Sequence, residues 1–303
     1  MRSIMTVTGR LEESDAGIVL PHEHVFCDIW RPFGREGVLH DVGLAVQEVS
    51  PLAALGVGVL VDLSTDEVGR NPEGLRQVSM ESGIPIVMGA GHYREPYLDR
   101  QRIDSLSVNQ LADQIVRDIE VGVGDSAIRP GVIGEVASEY DKITAIEERC
   151  IRAAARAHLR TGLSLTTHAA VYPSGIPQLE IFDSESVDPG RVVIGHCDTV
   201  PDMEYHLKIA QRGAFVQFDT IRGNREFDLA IRLDYIKNLA NEGFLDRILI
   251  SQDICLRSHL KAYGGSGYTY LPGEFLELLR GAGFTQSEID QMTRINPVVA
   301  LFQ

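Results

Sequence analysis

His22 and His24 are separated by one residue in the stretch Leu20-Pro-His-Glu-His24. In an extended strand, side chains two apart leave the same face, so both imidazoles reach one point while Glu23 faces the other way. Neutral imidazoles converging on one point bind a divalent metal. Four further residues of ligand type, Glu135, His168, His196 and Asp253, each end a short apolar run elsewhere in the chain. A single histidine in such a place is ordinarily a hydrogen-bonded core residue, but six ligand-type residues in equivalent places need a shared cause. Mixed imidazole and carboxylate ligands suit Zn²⁺, with Mn²⁺, Co²⁺ or Ni²⁺ as alternatives, because geometry and availability select among these ions. Of the other histidines, His40, His158 and His206 fall in helical or loop stretches and are read as structural or solvated. His92 and His259 follow the third and eighth apolar runs and could line a pocket. Cys27, Cys197 and Cys255 follow ligand-type residues by one to three positions; without zinc-ribbon spacing they are read as thiols packed behind the site.

The apolar runs are Ile18–Leu20, Val57–Asp62, Ile84–Met88, Gly131–Glu135, Leu163–His168, Val192–His196, Ala214–Asp219 and Ile248–Asp253. Each reads as a strand, and the longer stretches between them, such as Val42–Leu55 and Ile143–Leu159, carry the spacing of helices packed on one face. Gly56, Gly83, Gly162 and Gly213 fall just before strands, where helix C-caps belong. Strands alternating with helices pair in parallel, and eight of them predict a (β/α)₈ TIM barrel over residues 1–303 as one domain. In that architecture all strand C-termini meet at one mouth, so residues scattered along the chain become neighbours. An open Rossmann-type sheet is the alternative; no G-x-G-x-x-G follows the first strand.

With 303 residues, 44% hydrophobic and 23% charged, the composition is that of a soluble globular protein, and no run approaches a membrane span. The N-terminal residues lack a signal-peptide pattern, and the expected location is the cytoplasm. Four cysteines without a C-x-x-C pair fit reduced thiols. A net charge of −15 disfavours nucleic-acid partners, which are held through basic residues. The expected partner is a small-molecule substrate, with neither nucleic acid nor membrane; a homo-oligomer is compatible with the sequence.

Further stretches occur in a fixed order: Asp62–Pro72 with its Gly69-Arg-Asn-Pro72, Gly195-His196, Ser251-Gln-Asp253, Tyr263-Gly-Gly-Ser-Gly-Tyr268 and Asn296-Pro297. Together with the opening histidine pair, this set resembles the phosphotriesterase family of the amidohydrolase superfamily from end to end. The resemblance implies a binuclear hydrolase. His22, His24 and Asp253 would hold the more buried metal, His168 and His196 the more exposed one, and Glu135 would bridge them. Most members use a carboxylated lysine at the end of strand four, whereas this chain has Gly134-Glu135 and no lysine nearby before Lys142. The two bridges carry the same charge and both offer two oxygens, but glutamate is shorter.

The expected reaction is attack of a metal-activated water on an ester-type bond, with Asp253 taking the proton. Family activities cover lactones, carboxylic esters, amides and phosphotriesters, and a lactone or carboxylic ester, phosphorylated or not, leads. Tyr93 resembles a pocket-lining family position, where its phenol would meet a leaving group or fill space. Arg257, four residues beyond Asp253, is the candidate contact for an anionic substrate group. Two other classes fit the residues: a metal-stabilised binding protein with little turnover, and a related barrel-type metal-dependent nuclease, which the negative charge opposes.

Overall fold

Each of the eight apolar runs forms a strand, and the strands pair in parallel in chain order. They are β1 (Ile18–Glu23), β2 (Val57–Asp62), β3 (Ile86–Ala90), β4 (Val132–Ala137), β5 (Leu165–His168), β6 (Val192–Ile194), β7 (Phe215–Phe218) and β8 (Ile248–Ile250). Helices run between them, because parallel neighbours need a crossover, and the result is a (β/α)₈ TIM barrel. The computed structural model of the protein describes residues 2–139, 141–223 and 226–303. Among these no helix is long and apolar enough to cross a membrane.

Period-two alternation divides the core. Val19, Val59, Val87, Val132, Val193 and Phe215 belong to the cluster inside the barrel, while Leu20, Leu60, Ile86, Ile133 and Leu165 pack in the larger cluster under the helices. The stretch Val42–Leu55 is α-helical only to Val49 and continues as a 3₁₀ helix over Ser50–Leu55, since Pro51 has no N–H for the α ladder. The other expected helix runs Ala145–Thr161 and opens with a Thr144/Glu147 capping box. Gly56, Gly83, Gly162 and Gly213 all have positive φ, which lets the chain leave a helix and enter the next strand.

Two strand pairs were not expected: Ser3–Thr6 with Gly9–Glu12, and Cys27–Asp28 with Val38–Leu39. The first covers the floor of the barrel, where Ser3 and Gln303 exchange backbone hydrogen bonds at 2.8 and 3.0 Å. The seam between β8 and β1 is made largely by side chains. Ser251 Oγ accepts from the His22 N–H at 3.0 Å, and Asp253 N–H donates to the His22 carbonyl at 3.1 Å. Glu23, facing away from the metal-ligand side as its spacing requires, accepts from the N–H groups of Gln252 and Ile254, both at 3.0 Å. Burial pushes the Glu23 pKa up to about 7 against those bonds.

Candidate metal centre

Five strand ends bring the six expected residues to the mouth of the barrel. Glu135 on β4 is the hub: its Oε1 lies 2.8 Å from His196 Nε2, 2.9 Å from His168 Nδ1 and 3.3 Å from His22 Nε2. His24 Nε2 lies 3.4 Å from Asp253 Oδ1. Among the described residues, three groups of side chains present ligand atoms within 4.8 Å of one another: His22, His24 and Glu135; Glu135, His168 and His196; and His22, His196 and Asp219. One oxygen cannot satisfy three imidazoles as an ordinary acceptor. Both ring nitrogens of the buried His22 also lack an aligned hydrogen-bond partner, although carboxylate oxygens stand 2.9 and 3.3 Å away. Buried lone pairs aimed at shared points, backed by carboxylates, are the donor set of a divalent-metal site, and the residues fit one.

Proton placement supports the same fit. Ser64 donates its hydroxyl hydrogen to the Phe26 carbonyl, so its oxygen accepts from His24 Nδ1 at 2.8 Å and leaves Nε2 bare toward Asp253. His196 donates from Nδ1 to Asp219 at 2.7 Å, leaving Nε2 bare toward Glu135. Burial opposes protonation of His22, but Asp219 and Glu135 outweigh it and carry its pKa up to about 10, a proton that a metal would displace. Burial would raise the Glu135 pKa, but the charges and hydrogen bonds of the surrounding histidines hold it well below the carboxylate range. Burial likewise opposes ionisation of Asp253, and the charge of Arg222 outweighs it. Arg222 Nη2 donates to Asp253 Oδ2 at 2.6 Å. His196 and Asp253 also have positive φ of 56° and 51°, a conformation costing non-glycine residues about 1–3 kcal/mol and concentrated at functional sites.

Asp219, just past β7, was missed in the sequence. It obeys the same rule as the others, an acid closing an apolar run, and contacts His22 and His196 from below. Asp198 holds it in turn, accepting from the Asp219 and Thr220 N–H groups at 3.2 and 3.0 Å and from Arg232 Nε at 2.7 Å.

Over these residues lies a cavity of about 200 Å³, walled by Ile29, Phe33, Val68, Tyr97 and Val171, with Tyr93 and Arg94 at one side. Tyr93 lines it as expected, its hydroxyl 3.4 Å from His168 Nδ1. Arg257 does not line it. Its Nε donates to the Val38 carbonyl at 3.1 Å, because the 3₁₀ turn Arg257–His259 directs the side chain toward the first βα loop. Cys27 and Cys255 line the cavity instead of packing behind it, and Cys197 is buried with its thiol on the Ile194 carbonyl; all four cysteines are free. His92 is held by Glu67 at 2.8 Å and His259 accepts from the Cys255 and Leu256 N–H groups, so neither reaches the cavity. His158 and His206 bond backbone carbonyls, and His40 is exposed beside Asp28.

Known proteins resemble the chain in sequence and fold. The phosphotriesterase homology protein of Escherichia coli is 36% identical over 282 residues, 93% of this chain and 96% of that one. Its structure, with phosphate in the active site, superposes with a TM-score of 0.90 at 35% identity, covering 93% of this chain and 98% of that one. An N-acetyltaurine hydrolase of Dictyostelium discoideum is 30% identical over 271 residues, 86% of this chain and 73% of that one. The structure of a lactonase from Listeria monocytogenes matches with a TM-score of 0.90 at 27% identity, covering 99% and 98% of the two chains. The model of the phosphotriesterase family matches residues 2–301, and the chain belongs to that family.

Proposed function

We propose that the protein is a cytoplasmic, binuclear metal-dependent hydrolase cleaving an ester-type bond in a small molecule. A lactone or carboxylic ester, phosphorylated or not, stands first and a phosphotriester second. The observation that carries this reading is that two of the ligand groups share Glu135, so one carboxylate would serve two dications. His22, His24 and Asp253 would hold one ion, His168 and His196 the other, with zinc the first choice of metal. Bound there, the ions supply Lewis-acid polarisation of the scissile C=O or P=O and activation of a water.

The chain supplies the rest. Asp253, held ionised beside Arg222, accepts the proton released as the nucleophile attacks and returns it to the leaving group. Burial keeps the Tyr93 phenol protonated by raising its pKa well above the usual value, so it can donate to a leaving-group oxygen. Ile29, Phe33, Val68 and Val171 give the substrate apolar walls to pack against.

Metal-stripped protein reloaded with Zn²⁺ or Mn²⁺ and assayed on lactones, carboxylic esters, amides and phosphotriesters, with a polynucleotide as control, tests the proposal. Amides belong in the panel because one relative is named for N-acetyltaurine hydrolysis. Metal-dependent turnover of a lactone or ester is expected. Full metal occupancy without turnover of any compound would leave a binding protein.

A further inference from the structure

Arg257 borders a second cavity that the proposed reaction does not use. It measures about 310 Å³ and lies between the first βα loop and the last, at the lower end of the ~300–1,000 Å³ range of small-molecule sites. Leu39, Leu44 and Leu260 give it apolar walls, and Tyr263 stands at the guanidinium, 5.9 Å from ring centre to carbon. Among the described residues Arg257 makes no salt bridge. Two acids lie nearby: Glu36, which accepts from the Ser258 N–H at 2.5 Å and feels the charge of Arg257, and Asp41, which lines the cavity and caps the following helix through the Leu44 N–H at 2.9 Å. His40, also in the wall, stands 3.6 Å from Asp28. The catalytic cavity is a separate space. Val25 and Tyr268 divide the two, and the Tyr268 hydroxyl donates to the carbonyl of His24 at 2.8 Å.

An arginine that makes no salt bridge among the described residues, beside three leucines, recognises a ligand with one anionic end and an apolar body. Inorganic phosphate would leave the leucines without contact, and a neutral hydrocarbon would leave the guanidinium without an anion. The planar fork of arginine suits a carboxylate, which it can bind through two hydrogen bonds. We propose that this cavity is a binding site for a small organic carboxylate, its anionic end on Arg257 and its apolar body against Leu39, Leu44 and Leu260.

The probe is 4-bromobenzoate, with 4-bromobenzyl alcohol as the neutral control. Titrations use the metal-loaded full-length protein with inorganic phosphate in excess, so that carboxylate binding at the metals is suppressed. Crystals soaked in the same probe locate the bromine by anomalous scattering. The expected result is a bromine peak beside Leu44, solution binding that loosens at least about tenfold in Arg257→Gln, and a much weaker alcohol. Leu44→Trp, which fills the cavity without touching the charge, should abolish binding; if either variant fails to fold, the other decides. A bromine peak only at the metal centre, a peak in crystals with no binding in solution, or unchanged affinity in the folded variants would overturn the proposal.

Discussion

Glu135 brings a genetically encoded carboxylate to the centre of the candidate metal site. Metal assembly should therefore be independent of carbon dioxide: stripped protein reloaded in degassed buffer should recover metal and activity as fast as in bicarbonate. A clear acceleration by bicarbonate would point to a carbamate elsewhere. Glu135→Gln removes one negative charge from among three imidazoles and should weaken both metals, read by competition with a chelator; unchanged affinity would remove Glu135 as the bridge. Asp253→Asn should lower kcat by about 10²–10⁴ with the barrel still folded, and retained activity at full metal content would remove Asp253 from proton transfer. Asp219 orients His22 and His196 from beneath, so Asp219→Ala should cost about 10–100-fold in metal affinity, measured by the same competition. The six ligand-type residues were legible because each closes an apolar run. Asp219 closes one too and was passed over, since a carboxylate at a strand end has no distinctive neighbour such as the paired His22 and His24. Arg257 lies four residues from Asp253 in sequence, but it opens the 3₁₀ turn Arg257–His259 and its side chain goes to the Val38 carbonyl instead of the cavity over the metal ligands.

Strands buried on both faces must be apolar along their length, and that property made all eight barrel strands readable. The two extra strand pairs were not. Gly9–Glu12 is mostly exposed and carries no apolar pattern, and strands of two residues, Cys27–Asp28 and Val38–Leu39, are too short to show a period. Loops are fixed by polar contacts that periodicity cannot reveal. Glu67, in the loop after β2, binds His92 in the loop after β3 at 2.8 Å. Burial alone would raise the Glu67 pKa, but the hydrogen bond and charge of His92 outweigh it and lower it from 4.5 to about 2. A carboxylate with a depressed folded pKa stabilises the protein fully above its unfolded pKa and loses that contribution as pH falls toward the folded value. The stability difference between the parent and Glu67→Gln, from urea unfolding, should thus be on the order of 2–3 kcal/mol at pH 6 and shrink between pH 4.5 and 2. A difference that stays constant across that range would mean the pair does not stabilise through ionisation of Glu67.

Closure of the barrel turns residues as far apart as His22 and Asp253 into neighbours, and no local pattern in the chain shows that proximity. Parallel order supplies it: with β1 to β8 paired in sequence and the seam tied by Glu23 and Ser251, every strand end faces the same mouth. The floor is sealed at the other end by the N-terminal hairpin and Gln303, away from the candidate metal ligands. Metals bound to ligands from five strands hold the folded barrel together more than any unfolded chain, so occupancy and stability should rise together. A binuclear centre of this kind requires Glu135 to lie between two ions. Anomalous diffraction from crystals of the zinc-loaded protein, recorded on both sides of the zinc edge, measures this directly. Two peaks per chain are predicted, one against His22, His24 and Asp253 and one against His168 and His196, with Glu135 reaching both; a single peak in excess zinc, or two peaks with Glu135 bound to only one, would contradict it.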